Sequence, residues 1–215
     1  MSEVYAELRG IILADDDLAT VACRVPDAGE LPWSGFTRAA GLVGTDRDGA
    51  ASALAEVAAL PGAETRVALQ AWRCLRDLGV EPPEAAGRVV RGVVVEVGLE
   101  LGTDVVAAYE DHTARYLNQG GGGAFWERPT DALDSSIDAY LAAGQEVADA
   151  TGPIEGSLPG PAASGMAAIL LLTYRGIHLG SGPMDAIMGD ELGGRVTGAA
   201  FPLMQALTEM APREG

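Results

Sequence analysis

Between residues 67 and 78, apolar side chains recur at Val67, Ala71, Cys74, Leu75 and Leu78. That spacing is one face of a helical period and predicts a helix, with Arg66, Arg73, Arg76 and Asp77 on the opposite face. Gly79 supplies a left-handed stop and Pro82-Pro83 forbids continuation. Upstream, Leu54, Val57 and Ala58 form a shorter apolar face behind Asp48, a suitable N-cap, and Pro61-Gly62 breaks it. Residues 4–14 read as a short helix followed by Asp15-Asp16-Asp17, a solvated break or an N-cap cluster. Pro26, Gly29, Pro32 and Gly35 then mark irregular chain. Within it, Trp33 and Phe36 either plug the segment onto the main domain or anchor a partner.

After the double proline the period changes. Residues 89–97 are dense in valine, whose branched side chain suits a pleated sheet. Residues 98–102 turn the chain, 104–110 give a second strand, Asp111-His112 a tight turn, and 113–119 a third strand. Gly120 to Gly123 lead into a short fourth strand at 124–127. Thr130 would cap a helix whose face carries Leu133, Ile137, Tyr140, Leu141, Gly144, Val147 and Ala148, stopped at Gly152-Pro153. Residues 152–165 are rich in proline and glycine and read as a loop. Residues 167–173 and 177–179 then form a hairpin about Tyr174-Arg175-Gly176. A short turn from Pro183 and a helix over 194–210, with Pro202 inside it or near its start, complete the pattern. The order predicts an α+β fold: an antiparallel β-meander plus a C-terminal hairpin in one sheet packed by helices, with a helical N-terminal region. Residues 1–48 form an irregular or helical extension and 49–215 a single α+β domain in this reading.

Composition narrows the chemistry. All 14 basic residues are arginine, against 31 acids, for a net charge of −17. Without lysine there is no phosphate-loop lysine, no Schiff base and no kinase-type ATP clamp. Arginine-only basicity with abundant Ala, Gly and Val fits the codon bias of a GC-rich bacterial genome, or selection against lysine. So acidic a chain argues against nucleic acid and against an anionic membrane surface. No apolar run reaches membrane-span length, and the acidic Met1-Ser2-Glu3 start is unlike a secretory signal. The expected location is the bacterial cytoplasm. Cys74 reads as a small buried hydrophobe rather than half of a disulfide with Cys23.

Motifs with chemistry are few. Tyr109, Arg115, Tyr116, Phe125 and Trp126 cluster on the meander, and such residue types are enriched where protein partners bind. They are equally ordinary sheet residues. Arg175, His178 and the Gly180-Ser181-Gly182 stretch ahead of a helix form the best sequence candidate for a small-anion site, against the plainer reading of a tight strand-to-helix connection. His112 beside Asp111 could work as a base but sits in a turn. The spacings of the histidines and cysteines give no zinc signature, and the Asp15–Asp17 and Asp46/Asp48 clusters lack a calcium-loop pattern. No Gly-x-Ser-x-Gly elbow occurs. Neither a metal nor a cofactor is expected.

The stretch from Val105 to Gln119, read Val-Val-Ala-Ala-Tyr-Glu-Asp-His-Thr-Ala-Arg-Tyr-Leu-Asn-Gln, followed by Phe125-Trp126-Glu127, resembles a segment of uncharacterised bacterial proteins. Gly180-Ser181-Gly182-Pro183 and Leu203-Met204-Gln205-Ala206-Leu207 are similar too. The resemblance implies a stand-alone bacterial cytoplasmic domain and carries no catalytic residues. The order of sheet and helices also resembles profilin-like and roadblock-like scaffolds, by fold analogy alone and with a departing strand order. The leading expectation is a non-enzymatic interaction or regulatory domain, homo-oligomeric or a subunit of a bacterial assembly, contacting partners through Tyr116, Phe125 and Trp126. The alternative is a binder of, or enzyme on, a small anionic molecule through Arg175, His178 and residues 180–182. A third reading, a component of a bacterial stress or phage-defence operon, is compatible with either.

Overall fold

The computed structural model describes residues 3–24 and 29–210. Its helices are α1 (Glu3–Leu13), α2 (Leu18–Arg24), α3 (Trp33–Leu42), α4 (Arg47–Ala58), α5 (Thr65–Asp77), α6 (Glu84–Gly87), α7 (Asp134–Ala150), α8 (Met184–Gly189) and α9 (Glu191–Met210). Its strands are β1 (Gly92–Gly98), β2 (Thr103–Tyr109), β3 (Ala114–Leu117), β4 (Gly123–Trp126), β5 (Met166–Thr173) and β6 (Gly176–Pro183). All six strands join one antiparallel sheet in the order β4-β3-β2-β1-β5-β6. The meander and the C-terminal hairpin therefore meet at β1, and the fold is α+β with a helical N-terminal region, as the hydrophobic pattern predicts.

Helices cover both faces of the sheet. Val93, Val95, Val106, Ala108, Ile169 and Leu171 pack with Ile137, Tyr140, Val196 and Leu203 of α7 and α9. The alternate positions Val94, Val105, Ala107, Leu170 and Leu172 pack with Tyr5, Ile12 and Leu13 of α1 and Leu69 of α5. A strand buried on both faces needs apolar residues at successive positions, which explains the valine run. A third cluster ties Phe36 and Ala39 of α3 to Leu54 and Val57 of α4 and to Ala71, Cys74 and Leu75 of α5.

Two glycines permit close approaches. A Cβ at Gly144 would stand 2.5 Å from Val93 Cγ2, so glycine lets α7 lie close on the sheet. One at Gly98 would stand 1.9 Å from the Ala163 carbonyl oxygen, where the 152–165 loop crosses β1.

Several local expectations need correction. Trp33 and Phe36 lie in a helix, not in irregular chain; Pro32 sits at its N-cap, where its missing N–H costs nothing. Pro26 lies outside the described residues. Asp46 rather than Asp48 caps α4, its Oδ1 accepting from the Gly49 N–H at 2.9 Å. α7 begins at Asp134, beyond Thr130. α9 runs through Pro202 from Glu191. The Gly180–Pro183 stretch is not a loop: it continues β6, in register with Met166–Ile169 of β5. Among the described residues no helix is long and apolar enough to cross a membrane.

Candidate functional site: an arginine-lined cleft

α5 puts an apolar face against α3 and α4, and that fixes where its charged face points. Arg73 and Arg76, three positions apart, emerge side by side. The middle of α1 brings Arg9, the turn after that helix Asp15, and the β5–β6 turn Arg175. Gly156, Ser157 and Leu158 of the loop after α7 form the opposing wall. The cleft, open to solvent, has a volume of about 530 Å³.

The arginines are held differently. Arg73 donates from Nε to Asp15 Oδ1 at 2.9 Å and also pairs with Asp77. Burial works against its charge, but the two carboxylates outweigh it and hold the guanidinium above its ordinary pKa. Arg9 donates from Nε to Glu96 Oε1 at 2.8 Å. Arg76 donates from Nη1 to the Tyr174 carbonyl at 2.6 Å. Burial, and then the neighbouring Arg73, pull its pKa below the ordinary value. Arg175 donates its backbone N–H to Gly87 O at 3.3 Å, and its stem lies against Gly87, where a Cβ would come within 3.0 Å of Arg175 Cγ. Among the described residues, neither Arg76 nor Arg175 has a carboxylate within ion-pair distance, although the chain carries 31 acids. Two half-buried guanidinium groups thus share a cleft whose carboxylates, Asp15 and Asp77, pair directly with Arg73 and act on Arg76 only from farther off. An anion bound there gains charge-assisted hydrogen bonds and relieves the repulsion between the cations.

The predicted anion residues are only partly brought together. Arg175 lines the cleft, and with it Arg9 together with Arg73 and Arg76 of the charged α5 face. His178 is on the other face of the sheet. It is buried, with Nδ1 2.9 Å from Thr151 Oγ1, and burial lowers its pKa below the ordinary value. Gly180, Ser181 and Gly182 lie along edge strand β6 and form no anion-binding turn; the helix that follows has only six residues.

The aromatic strip does not form a continuous surface, because alternate strand residues face opposite ways. Tyr109 is fully buried and donates from its hydroxyl to Ile12 O at 2.7 Å. Trp126 is buried against the α9 side, its indole N–H without a partner among the described residues. Arg115 is buried, donating to Ala114 O at 2.8 Å and Trp126 O at 3.1 Å and pairing with Glu127 at 2.6 Å. Half-buried Tyr116 donates to Asp104 Oδ2 at 2.9 Å; burial first, then that carboxylate, push the phenol up to about 12. Phe125 alone of the five is well exposed, at 60 %, with the Arg115 guanidinium 5.7 Å from its ring centroid.

The acidic clusters are occupied by structure. Asp15 pairs with Arg73, Asp16 with Arg24 at 2.5 Å, and Asp17 Oδ1 accepts from the Thr20 N–H at the start of α2 at 2.7 Å. Among the described residues no group of three or more His, Cys, Asp or Glu side chains could hold a metal ion. His112 takes a left-handed turn conformation, φ +60°, with Nε2 2.9 Å from Asp138 Oδ1. Cys74 is buried and its thiol is pushed up to about 11, first by burial, which suits a packing role. Comparison with protein-family models, with curated proteins and with solved structures finds no match to this chain.

Proposed function

We propose that the protein binds a small molecule through a carboxylate or phosphate group held by Arg76 and Arg175, with Arg73 and Arg9 completing the basic wall. The observation that carries this reading is the pair Arg76 and Arg175, neither in a direct ion pair among the described residues, in one cleft of a chain with net charge −17. An acidic protein attracts no anion at long range, so binding depends on this local geometry, and nucleic acid is disfavoured as a partner. A cytoplasmic setting, rich in small phosphates and organic acids, suits such a site.

The test is thermal unfolding at low ionic strength with inorganic phosphate and with citrate. A saturable rise in Tm is expected from at least one of them, since a ligand that binds the folded state stabilises it by mass action. Arg175→Gln should abolish the rise while leaving the ligand-free Tm within a few degrees. Equal shifts in the wild type and in Arg175→Gln would defeat the reading.

A second reading keeps the interaction domain, homo-oligomeric or part of a larger assembly. The free edge of β4 and the exposed Phe125 ring beside Arg115 favour it. Its measure is sedimentation of wild type against Phe125→Ala, which should weaken any oligomer. With Trp126 buried, a Trp126→Ala variant would report folding instead.

A further inference from the structure

On the face of the sheet opposite the basic cleft, α8 and α9 do not close fully over β1 and β2. They leave a cavity of about 420 Å³, within the range of small-molecule pockets. Val95, Val97 and Val106 form its floor, Met184 and Met204 its sides, and Phe201 stands at its mouth. α9 lines it with Gly198, where a Cβ would meet no atom within 4 Å. Neighbouring side chains do not collapse into the gap, since Phe201 and Met188 stay 63 % and 58 % exposed.

The polar lining is sparse and already engaged. Thr197 turns its hydroxyl back to Gly193 O of its own helix at 3.0 Å. Asp104 accepts from the Tyr116 hydroxyl at 2.9 Å and the Gln119 N–H at 2.7 Å. So apolar a recess offers water few hydrogen bonds, and filling it with hydrocarbon is favourable. Among the described residues no arginine lines it, while the Asp104 carboxylate stands at its side. A fatty-acid-type anion is therefore mismatched, whereas a neutral chain, or one ending in an ammonium group, is not.

We infer that this cavity is a second ligand site, taking a small aliphatic molecule that carries no negative charge. The site shares no residue with the basic cleft, so the two stand or fall separately.

N-phenyl-1-naphthylamine, a neutral probe that brightens in apolar surroundings, tests it. The wild type should give saturable fluorescence. Gly198→Leu grows a side chain into the open space and should weaken probe binding at least tenfold, with an unchanged or higher unfolding midpoint; Gly198→Met serves as a second filling variant. Decan-1-ol and decylammonium should displace the probe at least tenfold better than decanoate, and Asp104→Asn should narrow the gap between decylammonium and decanoate. The inference is overturned if the probe does not saturate, if both filling variants bind it as the wild type does, or if decanoate competes equally well. It is also overturned if sedimentation shows a dimer that the probe dissociates, for then the apolar face belongs to a second copy of the chain.

Discussion

Val93 and Val95 look from β1 towards α7 and α9, while Val94 and Glu96 on the same strand look towards α1. The first face is closed almost entirely by hydrocarbon, and it is closed incompletely, leaving the cavity under α9. The second buries a carboxylate completely. Glu96 Oε1 accepts from the Tyr5 hydroxyl at 2.5 Å and from Arg9 Nε at 2.8 Å, and Oε2 accepts from the Ala162 N–H at 2.9 Å. One side chain thereby pins α1 and the 152–165 loop to the middle of the sheet. Hydrophobic packing is non-directional and tolerates gaps, whereas a buried charge demands its partners in place. The difference teaches why the apolar cavity lies on one side and the polar cleft, with Arg9 oriented by Glu96, on the other.

Removing the carboxylate should have the largest effect. Glu96→Leu leaves the Tyr5 hydroxyl, the Arg9 guanidinium and the Ala162 N–H without their partner, and is expected to cost about 3–5 kcal/mol in urea unfolding. Adding Tyr5→Phe and Arg9→Met to that variant should recover most of the loss, because an all-apolar replacement of a buried ionic cluster is often neutral. If the triple variant is no more stable than the single one, the two faces do not differ in the way described. A smaller effect is expected opposite. Gly144→Ala pushes a methyl into Val93 and Leu171, costing about 1–3 kcal/mol by overpacking despite alanine's better helix propensity. A neutral or stabilising result would mean that the gaps on this face extend to α7.

What could be read from the chain beforehand divides along local and non-local lines. The α5 face from Val67 to Leu75 and the β1–β4 meander were legible because their signals repeat within a few residues. The extension of β6 through Gly180–Pro183 was not, since glycine and proline composition signals a turn; the paired β5 strand overrides it. Phe36 was misplaced for the same reason, with Pro32 and Gly35 read as breakers although they start a helix and let Val57 pack against it. At the candidate site, Arg175 stood out as a cation on a hairpin turn. Its companionship with Arg76 did not, because Arg76 meets the Tyr174 carbonyl across 98 positions of sequence and no periodicity reaches that far. Strand alternation at residues 114–119 is local, but only the β3–β4 register puts Trp126 inward with Tyr116 while Phe125 turns out.

The smallest expected effect concerns His178, the imidazole buried on the α7/α9 side. His178 is buried beside Leu171 and Ile169, in a small cavity also lined by Asp190, whose carboxylate Oδ2 accepts from the Leu192 and Gly193 N–H groups. The Thr151 hydroxyl donates to Val147 O at 2.9 Å, so its oxygen is left to accept, and His178 carries its proton on Nδ1. Burial lowers the folded-state pKa below the ordinary value of about 6.5. As pH falls past that value the unfolded chain takes up a proton that the folded chain resists. Stability is then full above about pH 7.5 and declines as pH drops from about 6.5 towards the folded pKa. His178→Asn retains a donor for Thr151 but cannot titrate, so the slope of unfolding free energy between pH 7 and 5 should flatten relative to wild type. An unchanged slope would mean that the imidazole gains its proton in the folded state, through Asp190, and that the α7/α9 face is less purely hydrocarbon than the contrast with Glu96 requires.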